Sequence, residues 1–159
     1  MRCREIGLCA TGGNLKSKEW LDRGDNAQDA FGAFDDYWKG FNNCYAGKGP
    51  ERQLIKNFLE HRIKEEDAKD LISQNSTGIN YLLSEPAIDM RGNGNDTSQY
   101  MDEYNNSESN SGKLVAIFMI IYQIRCNLVH GQKSPSRDRD LHLCESSCGL
   151  IRGVIELAK

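Results

Sequence analysis

One apolar segment that ends in polar residues limits the folds available to this chain of 159 residues. Residues 114–121 carry no charge. Apolar side chains recur through and beyond this segment at steps of three and four, at positions 114, 117, 118, 121, 124 and 128. This period predicts a helix with one buried face. Because Gly131 follows the last periodic residue, and glycine commonly ends a helix, we expect a core helix from Asn110 or Lys113 to His130.

The closing turns of this helix hold Arg125, Asn127 and His130, three polar residues at the end of a core element. At about 100° per residue, Asn127 and His130 lie roughly 60° apart and share a face. Arg125 and His130 are separated by roughly 140°, so an ideal helix does not bring both side chains to one point. A long arginine, a loosened last turn or a second copy of the helix could do so. The alternative is that both cations only interact with the negative end of the helix dipole.

Composition indicates a single domain. Hydrophobic residues make up 38% of the sequence and only three prolines are present, which suits a helical protein of a size that can bury a core. No stretch approaches the ~20 apolar residues of a membrane span. The first six residues lack the apolar core of a signal peptide. We therefore expect a cytoplasmic protein that does not associate with membranes.

The six cysteines, at positions 3, 9, 44, 126, 144 and 148, contain no Cys-x-x-Cys pair. Cys144 and Cys148 share a helix face near His142, but no recognised zinc spacing supplies further ligands. Without a secretory signal, disulfides are not expected either. The prediction is therefore free, mostly buried thiols in a reducing compartment, with no bound metal and no cofactor.

The remaining sequence predicts further helices around an irregular start. Residues 1–24 contain Gly12-Gly13 and scattered polar residues, so we expect an irregular N-terminal lead-in. A helix over 25–46 carries a buried aromatic stripe at helical spacing, and a second spans 51–63. Short helices are expected over 65–73 and 77–84. The final helix is expected from a Ser136 cap to Ala158, with Gly149 and Gly153 allowing close packing.

The overall expectation is an all-α protein. Residues 85–112 are dominated by Asn, Ser, Gly, Asp and Thr, which predicts a polar surface insert that is mobile at least in part. Residues 25–159 are otherwise expected to form one helical domain. Its predicted architecture is an antiparallel up-and-down bundle of four main helices with additional short helices.

Local charge gives the first indication of function. The formal net charge of −3 excludes a broadly basic surface. Between Lys113 and Arg139, however, five basic residues stand against one acid, Asp138. Such a concentration suits a phosphate-bearing partner, although residues 137–140 could also be a solvated first turn. No carboxylate cluster accompanies His130 in the sequence, so a metal mechanism is poorly supported.

Two segments resemble HEPN domains, helical-bundle proteins recognised by an Arg, four to six residues, and then a His. The first is Tyr-Gln-Ile-Arg-Cys-Asn-Leu-Val-His-Gly at 122–131, followed by Lys133 and by Arg-Asp-Arg-Asp-Leu at 137–141. The second is Tyr-Trp-Lys-Gly-Phe-Asn-Asn-Cys-Tyr at 37–45, which is similar to the Trp-x-x-Phe-Asn segment of the Apea-like branch. The resemblance touches both ends of residues 27–158, while the polar insert matches nothing in the family.

The resemblance implies metal-independent RNA cleavage, often in toxin–antitoxin or antiviral defence systems. Two protomers typically pair so that both Arg-x4-His motifs line one cleft. By this resemblance His130 would move a proton to or from the ribose 2′-hydroxyl or the leaving oxygen. Arg125 would hold the scissile phosphate. Asn127, Lys133 and Arg137 would bind substrate or orient the site.

One departure from the family pattern concerns Cys126. Family members often carry a polar residue directly after the Arg, whereas here that residue is Cys126 and Asn127 follows one step later.

The resemblance implies as partners RNA as substrate, a second copy of the chain, and an antitoxin or nucleotidyltransferase. The alternative function is a catalytically silent HEPN module that binds RNA, a nucleotide or a protein partner.

Overall fold

The computed structural model describes residues 16–130 and 138–158. These residues form eight helices and no strand, which confirms the predicted all-α helical bundle. The helices are α1 (16–25), α2 (Ala30–Tyr45), α3 (Glu51–Arg62), α4 (Glu65–Gln74), α5 (Ser76–Leu82), α6 (Ser98–Asn106), α7 (Asn110–Val129) and α8 (Asp138–Leu157). The core helix begins at Asn110, one of its two predicted starts, and the predicted boundaries of α3 to α5 agree with these to within two residues.

Helix α7 forms the centre of the bundle. The side chain of Ser109 caps its start by accepting a hydrogen bond from the Gly112 amide at 3.0 Å. All six residues of 116–121 are buried, so the helix is covered on every side and not only on the predicted single face. Its neighbours include α3, α4 and α6.

The length and mean hydropathy of α7 also meet the requirements of a membrane span. Its mean hydropathy over an 18-residue window is 1.4, contrary to the expectation that no stretch would qualify. However, 56% of that window is buried inside the bundle, as in the core helix of many folded domains. The burial accounts for the apolar composition without a lipid environment.

Helix α2 contributes a buried aromatic stripe to this core. Phe34, Trp38, Phe41 and Tyr45 on α2 are all buried, which confirms the predicted stripe. Phe41 contacts Phe118 of α7 with ring centroids 5.2 Å apart. Helix α2 also packs against α8. A Cβ at Gly149 would collide with the side chain of Asn75, so the predicted close packing at this glycine is also confirmed.

The prediction of an irregular lead-in over 1–24 is wrong for residues 16–24, which are helical, while residues 1–15 lie outside the described residues. Leu21 is only 2% exposed, and the Ser17 hydroxyl donates to the Gly40 carbonyl at 2.9 Å. One buried Leu and one polar contact to another helix do not produce an apolar period that sequence alone could reveal. Helix α2 consequently starts later than predicted, at Ala30, with Asp29 as its cap.

Residues 85–112, predicted to be a polar surface insert that is mobile at least in part, contain regular structure. The segment contains α6, which packs on α7, and Ala87, Asp89 and Thr97 are buried. The Thr97 hydroxyl accepts a hydrogen bond from the Ala87 amide at 2.8 Å, and the Thr97 amide donates to the Ala87 carbonyl at 3.1 Å. Polar residues thus order the loop through hydrogen bonds, which a search for apolar residues does not detect.

Candidate functional site

An open cleft of about 320 Å³ lies at the C-terminal end of α7. It brings together residues from α3, from α7 and from the loop between α5 and α6. The described residues that line it are Arg52, Arg91, Tyr122, Gln123, Arg125, Cys126, Val129 and His130. They include three arginines and no carboxylate, so the cleft wall favours an anionic ligand.

The structure places both residues of the Arg-x4-His motif in this cleft. His130 caps α7, and its ψ angle of 3° departs from helical geometry while its amide still donates to the Cys126 carbonyl at 3.1 Å. This ψ angle ends the helix at His130, and both Arg125 and His130 line the cleft although they lie roughly 140° apart around an ideal helix. The His130 side chain is exposed, as a group that exchanges protons with a ligand must be.

Arg125 faces a carboxylate held by two tyrosines. Its Nη1 lies 3.7 Å from Glu51 Oε2 at the start of α3. The other Glu51 oxygen accepts from the Tyr45 hydroxyl at 2.6 Å, and Oε2 accepts from the Tyr122 hydroxyl at 3.0 Å. Burial and these bonds raise the pKa of both tyrosines, so each stays a protonated donor. The Glu51 carboxylate is therefore held in place by the two tyrosines, while its ion pair with Arg125 is long.

Arg52, the second residue of α3, contributes a second cation. Its guanidinium lies 4.5 Å from the Tyr122 ring centroid, within the range of a cation–π contact. Its Nη2 donates to Gln123 Oε1 at 3.3 Å, and its Nη1 donates to the Met119 carbonyl at 3.4 Å. These contacts fix Arg52 against α7 and keep its charge beside the cleft.

Arg91 contributes the third cation from the loop between α5 and α6. Its Nε donates to Asp89 Oδ1 at 3.0 Å, and its Nη2 donates to Asp89 Oδ2 at 2.6 Å. The Asp89 side chain is 4% exposed, whereas that of Arg91 is 62% exposed. Hydrogen bonds from Arg91 and Asn93 hold the pKa of the Asp89 carboxyl well below its usual range. The loop thus presents an oriented guanidinium at the cleft.

Asn127 does not line the cleft. It is 1% exposed, and its Oδ1 accepts from the Gln123 side chain at 3.1 Å and from the Met90 amide at 3.3 Å. Its Nδ2 donates to the Ile88 carbonyl at 2.9 Å. The side chain expected to bind substrate or orient the site is therefore enclosed by protein groups in this structure. Two of its three bonds hold the backbone of the loop that carries Arg91.

The remaining predicted site residues have different outcomes. Lys133 and Arg137 lie outside the described residues. Arg139 contacts Glu85, with its Nη2 3.0 Å from the Glu85 carbonyl, and it does not line this cleft. The predicted basic concentration over 113–139 therefore contributes Arg125 to the described cleft wall. Arg52 and Arg91, which sequence reasoning missed, supply the rest, and neither stands in a motif that could have identified it.

The thiols are less uniform than predicted. Cys144 is buried, whereas Cys44, Cys126 and Cys148 are partly buried, and none of these four forms a disulfide with another described cysteine. Burial raises the pKa of Cys148 to about 12. Cys3 and Cys9 lie outside the described residues. Among the residues with described positions, no group of three His, Cys, Asp or Glu side chains could hold a metal ion.

A second cleft, of about 200 Å³, adjoins the first. Arg125 and Val129 line both clefts. The second is completed by side chains of α2, among them Trp38 and Asn42 from the Trp-Lys-Gly-Phe-Asn segment. Both segments that carry the sequence resemblance therefore meet at Arg125.

Comparison with known proteins adds nothing to this geometry: no family model, no curated protein and no solved structure matches the chain. The resemblance to HEPN domains therefore stays a prediction from the motif residues.

Proposed function

We propose that this protein is a metal-independent endoribonuclease of the HEPN type, acting in toxin–antitoxin or antiviral defence. The observation that carries the proposal is the meeting of Arg125 and His130 in one cleft. That cleft also holds two further arginines and no carboxylate among its described lining residues. This combination offers a proton-transfer group beside several phosphate-binding groups, which is what phosphodiester cleavage requires.

The chemistry uses the substrate's own nucleophile. The ribose 2′-oxygen attacks phosphorus, and the bond between phosphorus and the 5′-oxygen breaks. The products are a 2′,3′-cyclic phosphate and a 5′-hydroxyl, with one proton removed from the 2′-oxygen and one given to the 5′-oxygen. His130 transfers protons in this step, and the Arg125 guanidinium stabilises the charge that develops on the phosphate.

Glu51 explains how Arg125 can be both positioned and available. Its carboxylate is held by Tyr45 and Tyr122, yet it contacts Arg125 only at 3.7 Å and through Nη1. Among the described residues, this leaves Arg125 Nε and Nη2 without a hydrogen bond. A phosphate can therefore take a two-pronged contact from Arg125 without breaking a strong internal pair.

A second protomer completes the site in this proposal. Val129 is 61% exposed and Ile88 is 60% exposed, the two most exposed large apolar side chains of the described residues. Val129 lines the cleft, and the Ile88 carbonyl is bound by Asn127, so both lie at this end of α7. A two-fold contact there would cover both side chains and bring two copies of His130 together. One imidazole would then accept a proton while the other donates one.

The decisive experiment is cleavage of a single-stranded RNA in the presence of EDTA, with a DNA strand of the same sequence as control. We expect RNA to be cut to 2′,3′-cyclic phosphate ends, EDTA to have no effect and DNA to survive. His130→Ala should lower the rate about 10²–10⁴-fold. A matched control is His61→Ala, because His61 is an exposed histidine on α3 that does not line the cleft.

The alternative function, a silent module that binds RNA, a nucleotide or a protein, has its own outcome in this experiment. If purified wild-type protein binds RNA without cutting it, or if His130→Ala cuts at the wild-type rate, the ribonuclease proposal fails. Light scattering at micromolar concentration tests the dimer, because a clean monomer would remove the composite site.

A further inference from the structure

Arg91 is the cleft arginine that the Arg-x4-His motif does not account for. It lies in the loop between α5 and α6 and reaches the cleft that Arg125 and His130 line. Its contacts with Asp89 use Nε and Nη2. Within the described residues, Nη1 is left for another acceptor. Because the Asp89 carboxylate is buried and Arg91 is exposed, the pair fixes one edge of the guanidinium and leaves the other open.

The loop that carries Arg91 has a defined backbone conformation. Gly92 and Gly94 both have φ angles of +77°, a conformation that glycine adopts without strain, and they turn the chain back after Arg91. The Asp89 amide donates to the Asn95 carbonyl at 2.9 Å across this turn. Arg91 is therefore held in position before any ligand arrives.

A chain of side-chain hydrogen bonds ties this loop to the other side of the cleft. Arg52 donates to Gln123, Gln123 donates to Asn127, and Asn127 binds the backbone on both sides of Asp89. Gln123 and Asn127 are both buried, so these bonds are shielded from water. These hydrogen bonds fix the position of the loop relative to α7, the helix that also carries Arg125.

We propose that Arg91 binds a second backbone phosphate, next to the one held by Arg125, so that the preferred RNA substrate contains at least two consecutive phosphodiesters. The proposal rests on the proposed function. Two oriented guanidinium groups in one cleft without a lining carboxylate suit successive phosphates of a single strand. Arg52 adds positive charge behind this path, while its contacts with Tyr122 and α7 keep it a positioning residue.

The test measures binding of a fluorescein-labelled 2′-O-methyl RNA hexamer, which cannot react through its 2′-oxygen, over a series of salt concentrations. Arg91→Gln should weaken binding about tenfold, the effect of losing one charge-assisted hydrogen bond. The slope of log affinity against log salt should fall by about 0.7, the value for one contact on a single strand. The matched control is Arg23→Gln, because Arg23 is an exposed, ion-paired arginine on α1 that does not line the cleft.

Two further measurements separate phosphate binding from loop structure. Arg91→Lys keeps the positive charge, so it should retain the wild-type salt slope. This holds even though lysine cannot form the forked pair with Asp89. Arg91→Gln should lose much less kcat/KM on a dinucleotide, which has a single phosphodiester, than on a hexamer. Cleavage of an unmodified hexamer should show a raised KM with kcat unchanged.

The outcomes distinguish this proposal from the proposed function. If Arg91→Gln binds the hexamer like Arg23→Gln while RNA is still cut, the second phosphate site is wrong and the ribonuclease stands. An equal loss on the dinucleotide would place Arg91 at the scissile phosphate and overturn the proposal. If Arg91→Gln lowers the salt slope but the wild type cuts no RNA, the site stands and the ribonuclease fails. A wild type that does not bind the hexamer overturns both.

Discussion

Arg152 on α8 and Arg125 on α7 stand in similar surroundings with different consequences. Each faces a carboxylate that also accepts a tyrosine hydroxyl, from Tyr37 onto Asp25 in one case and from Tyr45 onto Glu51 in the other. Arg152 donates to Asp25 through Nε at 2.9 Å and through Nη2 at 3.0 Å, and its Nη1 lies 3.7 Å from Glu156. All three nitrogens of Arg152 are therefore engaged.

Arg125, by contrast, has a single ion pair among the described residues, between its Nη1 and Glu51 Oε2 at 3.7 Å. It lines two clefts, whereas Arg152 lines neither of them. A tyrosine-bound carboxylate beside an arginine therefore occurs both within and outside the two clefts. What distinguishes Arg125 is the number of guanidinium donors that the fold leaves for a ligand.

The largest expected difference between the two arginines is in catalysis. Arg125→Ala should lower RNA cleavage by about 10²–10³-fold, because a donor aimed at developing charge is lost. Arg152→Ala should leave kcat/KM unchanged. Initial rates on one RNA substrate measure both. An equal loss of activity in the two variants would mean that the guanidinium donors of Arg125 left for a ligand do not explain its role in cleavage.

Stability should show the opposite order. Arg152→Ala should lower the free energy of unfolding by roughly 1 kcal/mol, the upper end for a partly exposed pair, because its contact with Asp25 is forked. Arg125→Ala should cost less, since its pair with Glu51 is long. Urea unfolding midpoints at one temperature give the comparison. A larger loss for Arg125→Ala would identify Arg125 as a structural residue.

A smaller effect, on RNA affinity, is expected when the carboxylates that face the two arginines, Glu51 and Asp25, are changed to amides. Glu51→Gln removes the charge that competes with phosphate for Arg125, while the amide oxygen still accepts from one tyrosine hydroxyl. RNA affinity should rise by up to about fivefold, the equivalent of a weak ion pair. Asp25→Asn is the matched control and should not change affinity. A fall in affinity for Glu51→Gln would show that Glu51 is needed to position Arg125.

The smallest effects are expected for the thiols near each arginine. Cys126→Ser should change the free energy of unfolding by about 0.5 kcal/mol and leave cleavage intact, because Cys126 is only partly buried and is not a nucleophile in this mechanism. Cys148→Ser, at a thiol whose pKa burial raises to about 12, should cost more stability. Lost cleavage with unchanged stability in Cys126→Ser would assign Cys126 a chemical role.

Sequence alone determined the central helix and the motif at its end. The apolar residues of α7 are contiguous, its Ser109 cap and its C-terminal turn are local, and Arg125 and His130 follow from that turn. Such features depend on residues within one or two turns of each other, so their pattern is visible along the chain. The buried stripe of α2 and the close approach at Gly149 were predictable for the same reason.

Only the tertiary structure decided which other groups share the cleft. Arg52 meets Gln123 across 71 positions of sequence, and Asn127 meets Met90 across 37. Contacts of this range are set by how helices pack, and no periodic pattern marks the residues that take part in them. Helix α1 and the loop before α6 were missed because polar hydrogen bonds and a few buried side chains hold them. Local pattern thus located Arg125 and His130, while long-range polar contacts selected Arg52 and Arg91 and oriented them.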